Sequence, residues 1–182
     1  MNVYDSEKID HLLNENLNSS NTDEIETADI IILNTCSVRE KAQEKLFSEI
    51  GKYRKLKIKN PNLIIGVGGC VGSQEGKKII SREPLVDVVF GPQSLHKIHD
   101  LIKSKTVQKK KVIDTSMNAF EKFDSLPMPH LGKVSSYISI MEGCNKFCSY
   151  CIVPFTRGEE ISRPFKQIVK EVVTLSKIGT KE

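Results

Sequence analysis

Three cysteines fall within eight consecutive positions, Cys144, Cys148 and Cys151, in the stretch M-E-G-C-N-K-F-C-S-Y-C-I-V-P. The C-x-x-x-C-x-x-C spacing constrains this chain more than any other feature. Thiolates are the ligands of iron–sulfur clusters, and cysteines this close on one loop reach neighbouring irons of a single cube. Three protein ligands leave one iron open. An open iron is what permits catalysis rather than electron storage alone.

An α-amino acid chelates such an iron through its amino nitrogen and carboxylate. If that amino acid is S-adenosylmethionine, an electron from the cluster cleaves its sulfonium and releases a carbon radical, chemistry that belongs to the cofactor. Zinc is the competing reading, but structural zinc prefers paired C-x-x-C modules and four ligands. No Cys or His follows Cys151, and His130 lies well upstream. Disulfides fit poorly, because five cysteines crowded in a chain without a leader segment point to a reducing, cytoplasmic setting.

The wider motif runs Glu142-Gly143-Cys144-Asn145-Lys146-Phe147-Cys148-Ser149-Tyr150-Cys151-Ile152-Val153-Pro154, then Thr156-Arg157-Gly158 and Ser162-Arg163-Pro164. It resembles the radical S-adenosylmethionine motif of the methylthiotransferases. Within that family it is most similar to the MiaB-type branch, which acts on N(6)-dimethylallyladenosine in tRNA.

The rest of the chain reads as α/β. Asp5 to Leu17 carries Ile9, Leu12, Leu13 and Leu17 at helical spacing. Ala28–Leu33, Leu63–Val67 and Val86–Phe90 are short apolar, β-branched runs, as in strands buried on both faces of a parallel sheet. Between them, Val38–Tyr53 and a stretch from about Ser73 read as helices. Gln93–Ile102 reads as a further helix, followed by an edge strand at Val112-Ile113. Strands alternating with helices imply βαβ units. The expectation is a small doubly wound parallel-sheet domain over 1–107 and a linker over 108–129. After it, 130–182 would open a second unit: a strand Val134–Met141, the cysteine loop and a helix Phe165–Ile178. One strand and one helix cannot bury a core of their own. The resemblance implies that this unit is the first βα step of a partial (β/α) barrel, and that the chain is a truncated piece.

Cys36 directly follows the first strand and Cys70 the second, at the sheet edge where α/β folds bind ligands. The helices that follow would favour thiolate at both. Two alternatives stand beside a metal role. Free cysteine is a common small core residue. Gly66-x-Gly68-x-x-x-Gly72, with Asp87 further on, is also a near match to a dinucleotide fingerprint. By resemblance, Asn34-Thr35-Cys36-Ser37-Val38-Arg39-Glu40 and Gly68-Gly69-Cys70 match two of the three ligand motifs of an auxiliary four-iron, four-sulfur cluster. The family's first ligand motif, T-x-G-C-Q-M-N, has no counterpart; the chain opens Met1-Asn2-Val3, which aligns just after it.

The resemblance implies two 4Fe-4S clusters, one on Cys144, Cys148 and Cys151 and one on Cys36 and Cys70, with S-adenosyl-L-methionine on the first. It places Tyr150 against the adenine of that cofactor. Arg157 and Arg163 suit a cofactor carboxylate or RNA phosphate, and equally a structural ion pair. Expected partners are a tRNA substrate and a reducing electron-donor protein. The chain reads as a monomer, with no segment approaching a membrane span. The alternatives within the family act on threonylcarbamoyladenosine in tRNA or on a ribosomal protein; an iron-binding remnant without turnover is another. The net charge of +4 is a mild tilt toward a polyanion. The lysine run Lys103–Lys111 reads mainly as solvated surface, and His96 and His99 as surface residues.

Overall fold

A parallel strand is stable only with neighbours beside it and cover on both faces, and four such strands stand among the described residues. The computed structural model describes residues 2–37, 40–117, 122–123, 125–129 and 133–182. The apolar runs form β1 (Ile30–Thr35), β2 (Ile64–Gly69) and β3 (Val88–Phe90), and Val112–Asp114 forms β4. All pair in parallel and lie side by side in the order β1-β2-β3-β4. Register sets Ile30 opposite Ile64 and Thr35 opposite Gly69, so both strands end at the same level.

The period of two divides each strand between two cores. Ile31, Ile65, Val67 and Val89 pack with Leu46 and Ile50 of α2 (Glu40–Lys52), Val71 of α4 (Cys70–Glu75) and Ile79 of α5 (Lys77–Arg82). Val88 and Phe90, with Ile30, Ile32 and Ile64, pack with Ile9, Leu12 and Leu13 of α1 (Asn2–Leu17) and Ile98, Leu101 and Ile102 of α6 (Ile98–Gln108). Helices thus cover both faces, as expected of a doubly wound sheet. The four described strands nonetheless run in sequence order, without the reversal such sheets commonly carry.

Several boundaries differ from the sequence reading. A short helix, α3 (Arg54–Lys59), follows α2. Gly69 turns the chain at φ +87°, so the next helix begins at Cys70 rather than near Ser73. The segment expected as one helix over 93–102 opens as a 3-10 turn, Pro92–Lys97, before α6. That turn buries His96, which is therefore not the surface residue expected. β4 lies beyond residue 107, where the linker was expected to begin. Val38 and Arg39, expected at the start of α2, lie outside the described residues.

The largest departure is at 134–141. Only Met141–Glu142 forms a strand, β5, and it pairs antiparallel with β6 (Ile161–Ser162). Val134, Tyr137 and Ile140 are exposed, for want of neighbours to bury them. The segment does meet the chain end: Glu182 N–H donates to Val134 O and Ser136 N–H to Glu182 O. That donor–acceptor pattern is one rung of a parallel ladder. Between the two ends lie α7 (Val153–Arg157) and α8 (Phe165–Lys177).

Asp87 sits between sheet and helices as an internal tie. Its carboxylate accepts from Lys57 Nζ at 2.6 Å, Lys105 Nζ at 2.9 Å and the Ile65 N–H at 3.1 Å. This is a structural role and not that of the acidic residue of a dinucleotide site. Burial pushes its carboxyl up, but the hydrogen bonds from Lys57, Lys105 and Ile65 outweigh burial and hold it below its ordinary value of 3.8. A depressed folded value gives stability that is present above the ordinary value and lost as pH falls through the folded one. Asp87→Asn should therefore lower unfolding free energy by about 2 kcal/mol at neutral pH. In urea melts the gap from the parent should close as the pH drops below 3.8.

Candidate functional site

The carboxyl edge of the sheet presents Cys36 immediately after β1 and Cys70 immediately after β2. The Thr35–Gly69 register makes them neighbours across two adjacent strands. Both motifs are fixed by the side chains that flank the cysteines. Thr35 Oγ1 donates to Gly68 O at 2.6 Å, and Asn34 Nδ2 donates to Ser6 Oγ of α1 at 2.9 Å. Cys70 is buried and Cys36 half-buried.

The glycines around Cys70 serve packing rather than a phosphate. A Cβ on Gly68 would stand 2.2 Å from the Phe90 ring, and one on Gly72 2.4 Å from Phe90 O. Gly66 faces Ile32 Cδ1 at 2.6 Å in the same way. All three let β2 and α4 close onto their neighbours. The dinucleotide fingerprint therefore has a sufficient explanation in the core.

The cysteine loop leaves β5 at Gly143, which takes φ +76°. Cys144 N–H then donates to Gly158 O at 3.1 Å, Glu160 N–H to Asn145 Oδ1 at 2.9 Å, and Cys151 N–H to Cys148 O at 2.9 Å. The loop is thus pinned at both ends while its tip stays open. Cys148 is exposed, and Cys144 and Cys151 are half-buried. Phe147 adopts φ +47°, a strained conformation for a non-glycine residue of the kind that collects at functional loops. Tyr150 is 90% exposed. None of the five cysteines is joined in a disulfide. Among the described residues no three Cys, His, Asp or Glu side chains converge on one ion-sized site. A four-iron cluster asks for a different arrangement, since each cysteine binds its own corner.

A buried ion cluster joins the loop to the sheet domain. Lys122 Nζ lies 3.0 Å from Asp5 Oδ1 and 2.6 Å from Glu142 Oε1. Arg157 reaches Asp5 Oδ2 at 3.0 Å and Glu142 Oε1 at 3.5 Å. Gln93 Nε2 donates to Glu142 Oε2 at 3.0 Å and to Arg157 O at 2.8 Å. A second set lies one turn along α1. There Lys8 Nζ meets Glu171 Oε1 at 2.9 Å and donates to Pro127 O at 2.7 Å, while Arg163 Nη1 pairs with Glu171 Oε2. Of the two roles open to Arg157 and Arg163, the ion pair is the one observed; neither guanidinium is free at the surface.

Burial alone would lower the Arg157 pKa, yet Asp5, Glu142 and the Cys70 sulfur together push it above its ordinary value. Cys70 thus lies within electrostatic reach of Arg157, and α4 packs against α7. The sequence reading missed Asp5, Lys8, Gln93, Lys122, Glu142 and Glu171. One signal was available: Asp5 and Lys8 fall in line with Ile9 and Leu12 at helical spacing, on the side that packs inward.

Gly143 is the position where a small change should tell most. A Cβ there would sit 1.9 Å from Glu159 O, and its φ is unfavourable for any other residue. Gly143→Ala should destabilise by about 2 kcal/mol or more and raise protease cleavage within 143–160, read by limited proteolysis.

The uncharacterized protein family UPF0004 matches residues 1–91. A tRNA-2-methylthio-N(6)-dimethylallyladenosine synthase of Bordetella pertussis is 54% identical over 182 residues, all of this chain and 41% of the relative. Synthases of the same name from Psychromonas ingrahamii and Legionella pneumophila are 53% and 52% identical, again over all of this chain and 38% and 41% of theirs. The chain spans about two fifths of the length of the curated relatives it matches. No helix among the described residues is long and apolar enough to cross a membrane. With half of its residues matched by the family model, and five free cysteines set at two strand ends and one loop, the chain belongs to the UPF0004 family.

Proposed function

We propose that this chain is the sheet domain and the opening of the radical core of a tRNA methylthiotransferase. In this reading the protein converts N(6)-(dimethylallyl)adenosine beside the anticodon to its 2-methylthio form. The observation that carries the reading is the identity to such synthases along the whole chain, 54% over 182 residues. The sheet domain, which runs through β4 to Asp114 rather than ending at 107, is the methylthiotransferase domain, the residues from there to 129 the connection and 130–182 the start of a (β/α) barrel. The parallel rung between the 134–136 segment and Glu182 supports the barrel. So does the apolar face of α8, where Phe165, Val169, Val172 and Val173 stand exposed for want of a covering strand.

Cys144, Cys148 and Cys151 would hold a 4Fe-4S cluster that binds S-adenosyl-L-methionine, and Cys36 and Cys70 would contribute two ligands to an auxiliary one. When bound, these groups supply a carbon radical and the sulfur to be transferred. The residues of this chain do the holding. The Cys144–Gly158 and Cys151–Cys148 hydrogen bonds fix the loop. The open tip at Cys148 leaves room for a ligand on the cluster, and Tyr150 is free to pack on an adenine. A reducing electron-donor protein and a cytoplasmic, monomeric state belong to the same proposal.

Radical chemistry needs water kept from the site, and here the loop lies open with Tyr150 90% exposed. The chain by itself is therefore expected to take up iron without turnover. Iron and sulfide per chain after anaerobic reconstitution test the reading, on this chain and on Cys144→Ala. Loss of about four irons in the variant is expected, one cube's worth. Equal iron in both, or zinc in its place, overturns it.

A further inference from the structure

The cysteine loop and the sheet-edge cysteines are far apart in sequence, and the helix that ends in Arg157 follows the one and packs beside the other. The Arg157 backbone ends α7, just after the loop, and its carbonyl is held by Gln93 at 2.8 Å. Helix α7 packs on α4, whose first residue is Cys70. The guanidinium is only 3% exposed. Its two terminal nitrogens face Asp5 and Glu142, but its Nε–H is buried without an acceptor among the described residues.

A buried donor without an acceptor costs about 1–3 kcal/mol, so its retention calls for an explanation. The acidic partners do not provide one, since they occupy the other two nitrogens. Cluster sulfur does. Thiolates and inorganic sulfides of an iron–sulfur cluster accept N–H hydrogen bonds, and such bonds together with nearby charge set cluster stability and potential. Arginine suits this task because its charge persists when buried and its fork serves carboxylates and sulfur at once.

We propose that Arg157 is a positioning residue for a cluster at the Cys36–Cys70 edge. Its Nε–H serves sulfur at the Cys70 corner, and its remaining nitrogens anchor the cysteine loop to Asp5 and Glu142. The inference rests on the auxiliary-cluster reading above. It adds that one side chain of the loop segment braces the other cysteine set, so that the two sites are mechanically joined.

The test isolates the sheet-edge site. Cys144, Cys148 and Cys151 are replaced by alanine, and the chain is reconstituted with iron, sulfide and excess dithiothreitol, whose thiolates can fill vacant corners. Iron retained is then followed during chelator challenge, with the thermal unfolding midpoint recorded alongside. Arg157→Lys keeps the charge but lacks the Nε–H; it should lose iron about tenfold faster, the scale of effect of outer-shell partners of metal ligands. Asp5→Asn loosens the same ion cluster without removing that donor, and should lower the unfolding midpoint while leaving iron retention within about twofold of the parent. Equal retention in Arg157→Lys and parent overturns the inference alone. Equal loss in Asp5→Asn and Arg157→Lys also overturns it, since Arg157 would then act only through the fold. A parent that takes up no iron overturns it together with the reading beneath it.

Discussion

Four charges taken out of water, Asp5, Lys122, Glu142 and Arg157, fix the arrangement of everything around them. A buried ion loses several kcal/mol of hydration, and the loss is tolerable only when every charge meets an opposite one in good geometry. Here two carboxylates face two cations, with Gln93 closing the remaining side of Glu142. These residues come from α1, the 122 segment, β5, α7 and the turn before α6. Displacing any of those elements would strand a charge. The ion cluster therefore specifies one docking of the cysteine loop on the sheet, where apolar packing alone would tolerate several. Lys8, Arg163 and Glu171 repeat the device one turn along α1 and seat α8 against the same helix.

The sheet was legible because its strands are apolar on both faces, a pattern few other structures produce. Ile30, Ile31 and Ile32 divide between two cores, and three isoleucines in a row leave no face of the strand for water. The cysteines stand out in the sequence because spacing alone restricts what three thiols can bind. The ion clusters were not, since charges that pair over 117 or 152 positions leave no periodic trace. Lys122 illustrates the difficulty. It falls in a proline-containing stretch read as a linker, yet it is fully buried. Hydrophobic patterning finds surfaces that need cover and says nothing of long charged side chains that reach inward.

Two sequence signals have physical causes of the same kind. The glycines of β2 and α4 offered a phosphate cradle as one alternative, because close approach of backbone is what a phosphate requires. Close approach of an aromatic ring requires it as well, and Phe90 over Gly68 is the occupant found. The segment 134–141 has the composition of a strand, yet only its last residue joins a two-stranded ladder. Strand propensity is a preference for a pleated, half-buried surface and is realised only when neighbours provide one. Val134, Tyr137 and Ile140 lack them here.

The stiffness of the cysteine loop follows from where those neighbours are missing. Toward α8 and the 134–140 segment the second unit is half covered, so little rigidity comes from its own core. Toward the sheet domain it is held by buried charge pairs and by Gln93, contacts that are directional and do not slide. Loop position is thus referred to α1 and the turn before α6, both packed on the sheet, more firmly than to the loop's own unit. One ion cluster ties the cysteine loop to the domain whose first two strands immediately precede Cys36 and Cys70. The residue that ends the loop helix, Arg157, belongs to that cluster and lies within electrostatic reach of Cys70.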